Sequence, residues 1–196
     1  MRAIVTGGAG FIGSHVVDAL LVRGDEVHVL DDLSTGKRER VAEGARLQVA
    51  DIRAPDEVFD AVRPDAVLHL AAQADVRVSV ERPDHDADVN ILGTLRVLEA
   101  ARRHGAKIVF SSSGGAVYGE CDGPVSETAG RRPLAPYGTS KLCGEEYLAT
   151  WNRLYGTSHV SLRLGNVYGP RQEPHGEAGV VAIFMGLLNE GGTPKI

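Results

Sequence analysis

The chain has 196 residues, of which 43% are hydrophobic and 24% are charged, as is ordinary for a globular protein of one domain or slightly more. Its formal net charge of −5 is the opposite of the basic field with which proteins bind nucleic acids or anionic membranes. No apolar run reaches the ~20 residues of a membrane span, and glycines follow the start too soon for a secretory signal. With only Cys121 and Cys143, we expect reduced thiols and a cytoplasmic protein.

Short β-branched runs alternate with longer helical patterns along the chain. Strands are predicted at residues 2–6, 26–30, 46–49, 66–70, 107–111 and 159–164, and helices at 14–23, 84–104 and 137–155. Alternation of this kind indicates a parallel sheet covered by helices on both faces. The fold class predicted is therefore α/β, a doubly wound Rossmann-type sheet. Residues 120–136 and 170–179 are predicted to be loops.

Glycines at positions 7, 10 and 13 follow the first predicted strand directly. A tight turn requires backbone angles that glycine adopts without strain. The helix that follows would direct its free amides and the positive end of its dipole at a phosphate. The pattern predicts a dinucleotide pyrophosphate at this turn, whereas a glycine turn without a ligand is the alternative.

An acidic residue ends the second predicted strand. Asp31 lies 18 positions after Gly13, close to the ~20 typical of a carboxylate that binds the adenosine ribose. Such a carboxylate accepts from the ribose hydroxyls and repels a 2′-phosphate, which favours NAD over NADP. Lys37 and Arg38 argue in the opposite direction, because basic residues there would hold that phosphate, and Asp32 competes with Asp31 for the role.

Tyr137 and Lys141 are four residues apart at the start of a predicted helix, so they share one helix face. A nearby ammonium lowers the pKa of a phenol, which makes the phenolate a usable general base. Three serines, Ser111 to Ser113, end the fifth predicted strand. Because the carboxyl ends of parallel strands face the ligand crevice, one of these hydroxyls is predicted to contact a substrate.

Several motifs occur together in one order along the chain. They are Thr6-Gly7-Gly8-Ala9-Gly10-Phe11-Ile12-Gly13, Leu70-Ala71-Ala72-Gln73, Asn90-x-x-Gly93-Thr94, the serines with Val117-Tyr118-Gly119, Tyr137-x-x-x-Lys141, and Arg163-x-x-Asn166-x-Tyr168-Gly169-Pro170-Arg171. This combination resembles the extended short-chain dehydrogenase/reductase superfamily, and within it the nucleotide-sugar epimerases. The resemblance runs from residue 1 to the end of the sequence.

The resemblance implies a bound NAD and no metal. The implied NAD-binding residues are Gly7, Gly10, Phe11, Ile12, Gly13, Asp31, Asp51, Ile52, Leu70, Ala71, Ala72, Asn90, Tyr137 and Lys141. Asp51 and Ile52 would flank the adenine, although a helix N-cap explains Asp51 equally well.

The resemblance also implies a UDP-sugar substrate and the interconversion of UDP-glucose and UDP-galactose through a 4-keto intermediate. Tyr137 would be the acid/base, Lys141 would hold the nicotinamide ribose, and Ser113 would contact the sugar. Ser112 is the second choice for the sugar, because one extra residue before Tyr118 leaves the serine alignment open. Asn166 and Arg171 would bind the diphosphate, with a solvated charge as the alternative for Arg171, and His175 is predicted to be a loop residue.

Related activities give the rival interpretations. A 4,6-dehydratase carries acid and base groups where this chain has Gly114-Gly115-Ala116, which makes dehydration a poor match. Another nucleotide-sugar epimerase, such as a UDP-glucuronate 4-epimerase, and a non-catalytic cofactor-sensing module stay open.

The organisation implied is an NAD-binding domain over residues 1–165 and the start of a small substrate-binding region over residues 166–196. The resemblance would have that second domain continue beyond residue 196, so it is expected to be incomplete here. A homodimer through helices 84–104 and 137–155 is also implied.

Overall fold

A computed structural model describes residues 1–173 and 179–195. The strands are β1 (Arg2–Thr6), β2 (Glu26–Asp31), β3 (Arg46–Val49), β4 (Ala66–His69), β5 (Lys107–Ser113) and β6 (Val160–Leu164). They form one parallel sheet in the order β3-β2-β1-β4-β5-β6. This is the strand order of the dinucleotide-binding fold, and it confirms the predicted doubly wound sheet.

Helices connect these strands. They are α1 (Phe11–Val22), α2 (Asp56–Val62), α3 (Val76–Glu81), α4 (Pro83–Ala87), α5 (Gly93–His104), α6 (Gly114–Val117), α7 (Pro136–Tyr155) and α8 (Val180–Asn189). The sequence patterns do not predict α2, α3, α6 and α8. Three of these span seven residues or fewer, which is too short to display a clear 3.6-residue period.

Two hydrophobic cores lie on opposite faces of the sheet. In β1, Ala3 and Val5 pack with Val17 of α1 on one face, whereas Ile4 packs with Val97 and Leu98 of α5 on the other. Alternate strand residues point to opposite faces, so helices cover both sides as predicted.

The predicted helix over residues 84–104 is divided in the structure. A π-helical turn, Asp88–Leu92, separates α4 from α5. The side chain of Asn90 in this turn bonds to Gln73, Asp86 and Ser140. Single π turns occur often at functional sites because they redirect one side chain.

The two predicted loops contain no strand and almost no helix where the structure describes them. Residues 120–135, 170–173 and 179 have neither, whereas Pro136, placed in the first loop, begins α7. Residues 174–178, with the loop prediction for His175, lie outside the described residues. In the described part of the chain, no helix has both the length and the apolar character needed to cross a bilayer.

Candidate active site

The glycine turn joins β1 to α1 through very close backbone packing. Gly7 has a φ of +70°, and a Cβ on it would lie 2.7 Å from the Ala71 nitrogen. A Cβ on Gly13 would lie 2.1 Å from the Gly7 carbonyl oxygen. The N-cap of α1 is Gly10, which has no side chain to accept from the first amides. The amides at Phe11 and Ile12 can therefore bind an anionic group.

Asp31 lies against this turn at the end of β2. Its carboxylate is 5% exposed and accepts hydrogen bonds from the amides of Ala9 and Leu33, both at 2.9 Å. Burial raises the pKa of Asp31, and the two amides oppose that shift. Asp32 is exposed and accepts from Ser34 instead. Of the two candidates, only Asp31 contacts the glycine turn, where a dinucleotide ribose would lie.

Asp51 is held by Arg53. It accepts from the Arg53 amide at 2.8 Å and from the guanidinium, which also pairs with Asp88. Because α2 has Pro55 at its N-cap, the interpretation of Asp51 as a helix cap is wrong. Ile52 is buried and packs on Gly93. A contact of either residue with an adenine stays a prediction.

A buried histidine links the end of β1 to the start of α5, and no sequence pattern predicts it. His69 at the end of β4 bonds through Nδ1 to the Thr6 hydroxyl at 2.7 Å and through Nε2 to the Thr94 hydroxyl at 3.1 Å. Thr94 donates its own proton to the Asn90 carbonyl, so His69 carries its proton on Nε2. Burial lowers the pKa of His69 to about 3, and Lys141 acts in the same direction.

The predicted cofactor-binding residues after β4 bond to Thr6, the same residue that His69 contacts. The amides of Leu70 and Ala71 both donate to the Thr6 hydroxyl at 3.1 Å. Ala72 follows them and is half-buried. The end of β4 is thereby held beside the glycine turn.

Asn90 is buried in the π turn and connects three elements. Its Oδ1 accepts from the Gln73 amide at 2.9 Å, and its Nδ2 lies 2.9 Å from Asp86 Oδ1 and 3.3 Å from the Ser140 hydroxyl. Ser140 in turn donates to the Tyr137 carbonyl. The π turn thus positions Asn90 behind the first turn of α7, where Tyr137 lies.

Tyr137 and Lys141 occupy the first two turns of α7, which packs tightly on β5. A Cβ on Gly144 would lie 2.6 Å from Phe110 Cζ, so a glycine is required for this approach. Lys141 is buried, and its Nζ donates to the Ser111 carbonyl at 2.9 Å. The Nζ lies 5.8 Å from the centre of the Tyr137 ring. The structure therefore places an ammonium beside the phenol at the carboxyl end of β5.

The two candidate serines have different surroundings. Ser112 is buried and donates to Glu145 at 2.5 Å, and Glu145 pairs with Arg163 of β6 at 2.7 Å. This network lies between the sheet and α7, so the Ser112 hydroxyl is engaged internally, and its contact with a substrate stays a prediction. Ser113 ends β5 and is half-buried, which leaves it as the candidate.

The two residues predicted to bind the diphosphate, Asn166 and Arg171, also differ in their surroundings. Asn166 is exposed two residues after β6, and its Oδ1 lies 3.9 Å from the position of a Cβ on Gly115. Arg171 instead pairs with Asp18 of α1. Arg171 thereby holds its loop on α1, and its contact with a diphosphate stays a prediction. In residues 1–173 and 179–195, no group of three or more His, Cys, Asp or Glu side chains is arranged to hold a metal ion.

Because Lys141 is buried, we expect the free energy of unfolding to increase with pH in the alkaline range. Burial lowers its pKa to about 8, and Asp86 acts in the opposite direction. Since the unfolded chain then binds more protons between pH 8 and about 10.4, the free energy of unfolding rises with pH across this window, by about 2 to 3 kcal/mol. We expect Lys141→Met to be more stable than the parent at pH 7, with the difference shrinking by that amount at pH 10.

Urea denaturation at both pH values measures this effect. Lys107→Met is the control, because Lys107 is exposed. A difference between Lys141→Met and the parent that does not change with pH would contradict the prediction.

Comparisons with known proteins agree over the whole chain. A model described as the NAD dependent epimerase/dehydratase family matches residues 3–196. The UDP-glucose 4-epimerase of Mycolicibacterium smegmatis is 47% identical over 205 residues, which cover 100% of this chain and 66% of that protein.

Two crystal structures are similar as well. The Thermus thermophilus UDP-glucose 4-epimerase in complex with NAD has a TM-score of 0.94 at 53% identity, covering 100% of this chain and 64% of its own. The Thermotoga maritima enzyme with UDP-glucose has a TM-score of 0.95 at 47% identity, covering 98% and 64%. The chain thus spans slightly less than two thirds of the length of these relatives.

Proposed function

Because the chain belongs to the NAD-dependent epimerase/dehydratase family, we propose that it binds NAD and belongs to a 4-epimerase that interconverts UDP-glucose and UDP-galactose. One observation carries the proposal. The Tyr137 and Lys141 pair, Ser113 and the glycine turn with Asp31 all lie at the carboxyl edge of one parallel sheet. This edge is where open α/β sheets bind their ligands.

The residues of the turn fit a dinucleotide. The close packing of Gly7 and Gly13 lets a pyrophosphate approach the first amides of α1. Asp31 keeps acceptor capacity for the ribose hydroxyls, since each of its oxygens receives one amide hydrogen bond. When bound there, NAD supplies a reversible hydride acceptor for C4 of the sugar.

Proton transfer at the sugar O4 falls to Tyr137. The buried ammonium of Lys141 favours the phenolate, which removes the proton of the 4-hydroxyl and later returns it to the other epimer. Ser113 donates a hydrogen bond to the same region of the sugar, and Asn166 holds the diphosphate. Anchoring at the nucleotide end lets the 4-keto sugar turn between the two half-reactions.

The turn after Ser113 favours epimerisation over dehydration within this family. Residues 114–116 are Gly-Gly-Ala and carry no ionisable group. Elimination of water needs a positioned acid and base, which this turn does not provide.

We further propose a cytoplasmic homodimer that pairs through residues 84–104 and α7. These segments pack on the same face of the sheet, and both present apolar side chains to solvent. Leu92 is 53% exposed, Tyr147 37% and Leu154 65%. Burying such residues against a second copy stabilises an isologous interface.

Cofactor release and turnover together test the proposed function. We expect protein of full natural length to release one equivalent of nicotinamide dinucleotide on denaturation and to convert UDP-galactose to UDP-glucose without added reductant. Chromatography of the supernatant and of the sugar nucleotides measures both. Absence of bound dinucleotide together with no binding on titration, or no conversion by protein that does bind it, would reject the proposal.

A further inference from the structure

A pair of basic residues, Lys37 and Arg40, lies on a segment whose backbone packs against the carboxylate that would bind the adenosine ribose. The amide of Lys37 donates to the Ala9 carbonyl in the glycine turn at 2.9 Å. Gly36, the residue before it, lies so close to Asp31 that a Cβ would be 2.6 Å from Oδ1. Arg40 follows within the same segment. Cations at this position are what a 2′-phosphate on the ribose would bind.

A third charge from a distant part of the chain neutralises this pair. Glu173 lies beyond β6, yet its carboxylate is 2.6 Å from Lys37 Nζ and also pairs with Arg40. Lys37 lowers the pKa of Glu173, and Arg40 adds to that shift, so the carboxylate is ionised at neutral pH. Arg40 is 11% exposed at its side chain, so screening by solvent weakens its part of this contact less than that of a fully exposed pair.

Two further contacts fix the segment that carries Glu173. The Pro170 carbonyl accepts from His15 of α1 at 2.9 Å, and Arg171 pairs with Asp18 on the same helix. The contacts of Pro170 and Arg171 with α1 therefore keep Glu173 near the glycine turn, independently of its own ion pairs.

We infer that Glu173 is a specificity-determining residue, which occupies Lys37 and Arg40 and so favours a dinucleotide with a free 2′-hydroxyl over one with a 2′-phosphate. This inference rests on the proposed dinucleotide site. It accounts for part of the conflict in the sequence, because Lys37 is one of the two cations that argue against NAD there, whereas Arg38 is exposed and is not paired with Glu173. Asp31 repels the phosphate directly, and Glu173 removes the cations that would offset this repulsion.

The variant Glu173→Gln tests the inference. On protein freed of resident nucleotide, we expect the Kd for NADPH to fall by about tenfold and the Kd for NADH to change by less than about twofold, because one charge beside the phosphate is removed. Adding Lys37→Gln should return the NADPH affinity to its starting value. Fluorescence titration with NADH and with NADPH measures both dissociation constants for each protein.

Glu39→Gln is the matched control, since Glu39 is exposed on the same segment and forms no ion pair with the described residues. An unchanged Kd for NADPH, an equal gain in the control, or a parallel loss of both dinucleotides would overturn the inference. Failure of the parent protein to bind either dinucleotide would instead reject the proposed function itself.

Discussion

In protein of full natural length, Tyr137→Phe is expected to lower kcat for the proposed interconversion of UDP-glucose and UDP-galactose by about three orders of magnitude, which is within the range of a lost general acid/base. The phenyl ring keeps the packing of the first turn of α7 but has no proton to give or take. NADH binding should change far less than kcat, because the glycine turn and Asp31 are untouched and Tyr137 is only one of the residues expected to contact NAD.

Steady-state assays of Tyr137→Phe from pH 6 to 9 separate the two effects. Tyr147→Phe is the control, since Tyr147 lies on the same helix, ten residues further along, and is 37% exposed. Loss of activity in both variants would indicate damage to α7, whereas near-normal turnover by Tyr137→Phe would remove the residue from the mechanism.

Local sequence patterns predict those parts of the fold and site that depend on neighbouring residues alone. All six strands are predicted within two residues of their observed ends, because a buried parallel strand is a short β-branched run between turns. The spacing of Tyr137 and Lys141 fixes their shared helix face. The glycine turn at positions 7, 10 and 13 can likewise be recognised from the strand before it and the helix after it.

Other features depend on contacts between distant residues, which no local pattern reveals. Glu173 and Lys37 are 136 positions apart, and Arg171 and Asp18 are 153 apart. Ser112 has the position of a strand-end hydroxyl, yet its partner Glu145 comes from α7, 33 residues further along the chain. The sequence at Arg171 and Ser112 is compatible both with a ligand contact and with an internal hydrogen bond or ion pair. The internal partners become visible only in the tertiary structure.

The π turn is unpredictable for a related reason. Residues 84–104 have the apolar period of one continuous helix, but the side chains of Asn90 and Thr94 bond across to Gln73 and His69. Buried polar groups must form hydrogen bonds. At this one turn, the hydrogen bonds of these side chains take the place of the regular α-helical backbone pattern. The deviation lies beside Tyr137, where a redirected side chain is most useful.

Gly13→Ala is expected to damage the dinucleotide site more than any other single-methyl addition in the turn. The new Cβ would lie 2.1 Å from the Gly7 carbonyl oxygen and 2.8 Å from Gly8 Cα. Both are backbone atoms, so the turn itself must move. Overpacking of this kind costs about 1 to 3 kcal/mol, which corresponds to about 5- to 150-fold in the Kd for NADH where the strain is relieved by displacing the turn.

If the turn does not move, the same strain lowers the free energy of unfolding instead of the affinity for NADH. Stability and affinity must therefore be measured together. Urea denaturation without cofactor and NADH titration give the two parts, and their sum should reach the predicted range. Gly130→Ala is the control, because Gly130 lies in an exposed loop segment and a Cβ added to it would meet no atom within 4 Å. Parent-like stability and parent-like affinity in Gly13→Ala would mean that α1 can withdraw from Gly7 without cost. The glycine turn would then be no rigid cradle for a pyrophosphate, and the placement of the whole cofactor site would have to be revised.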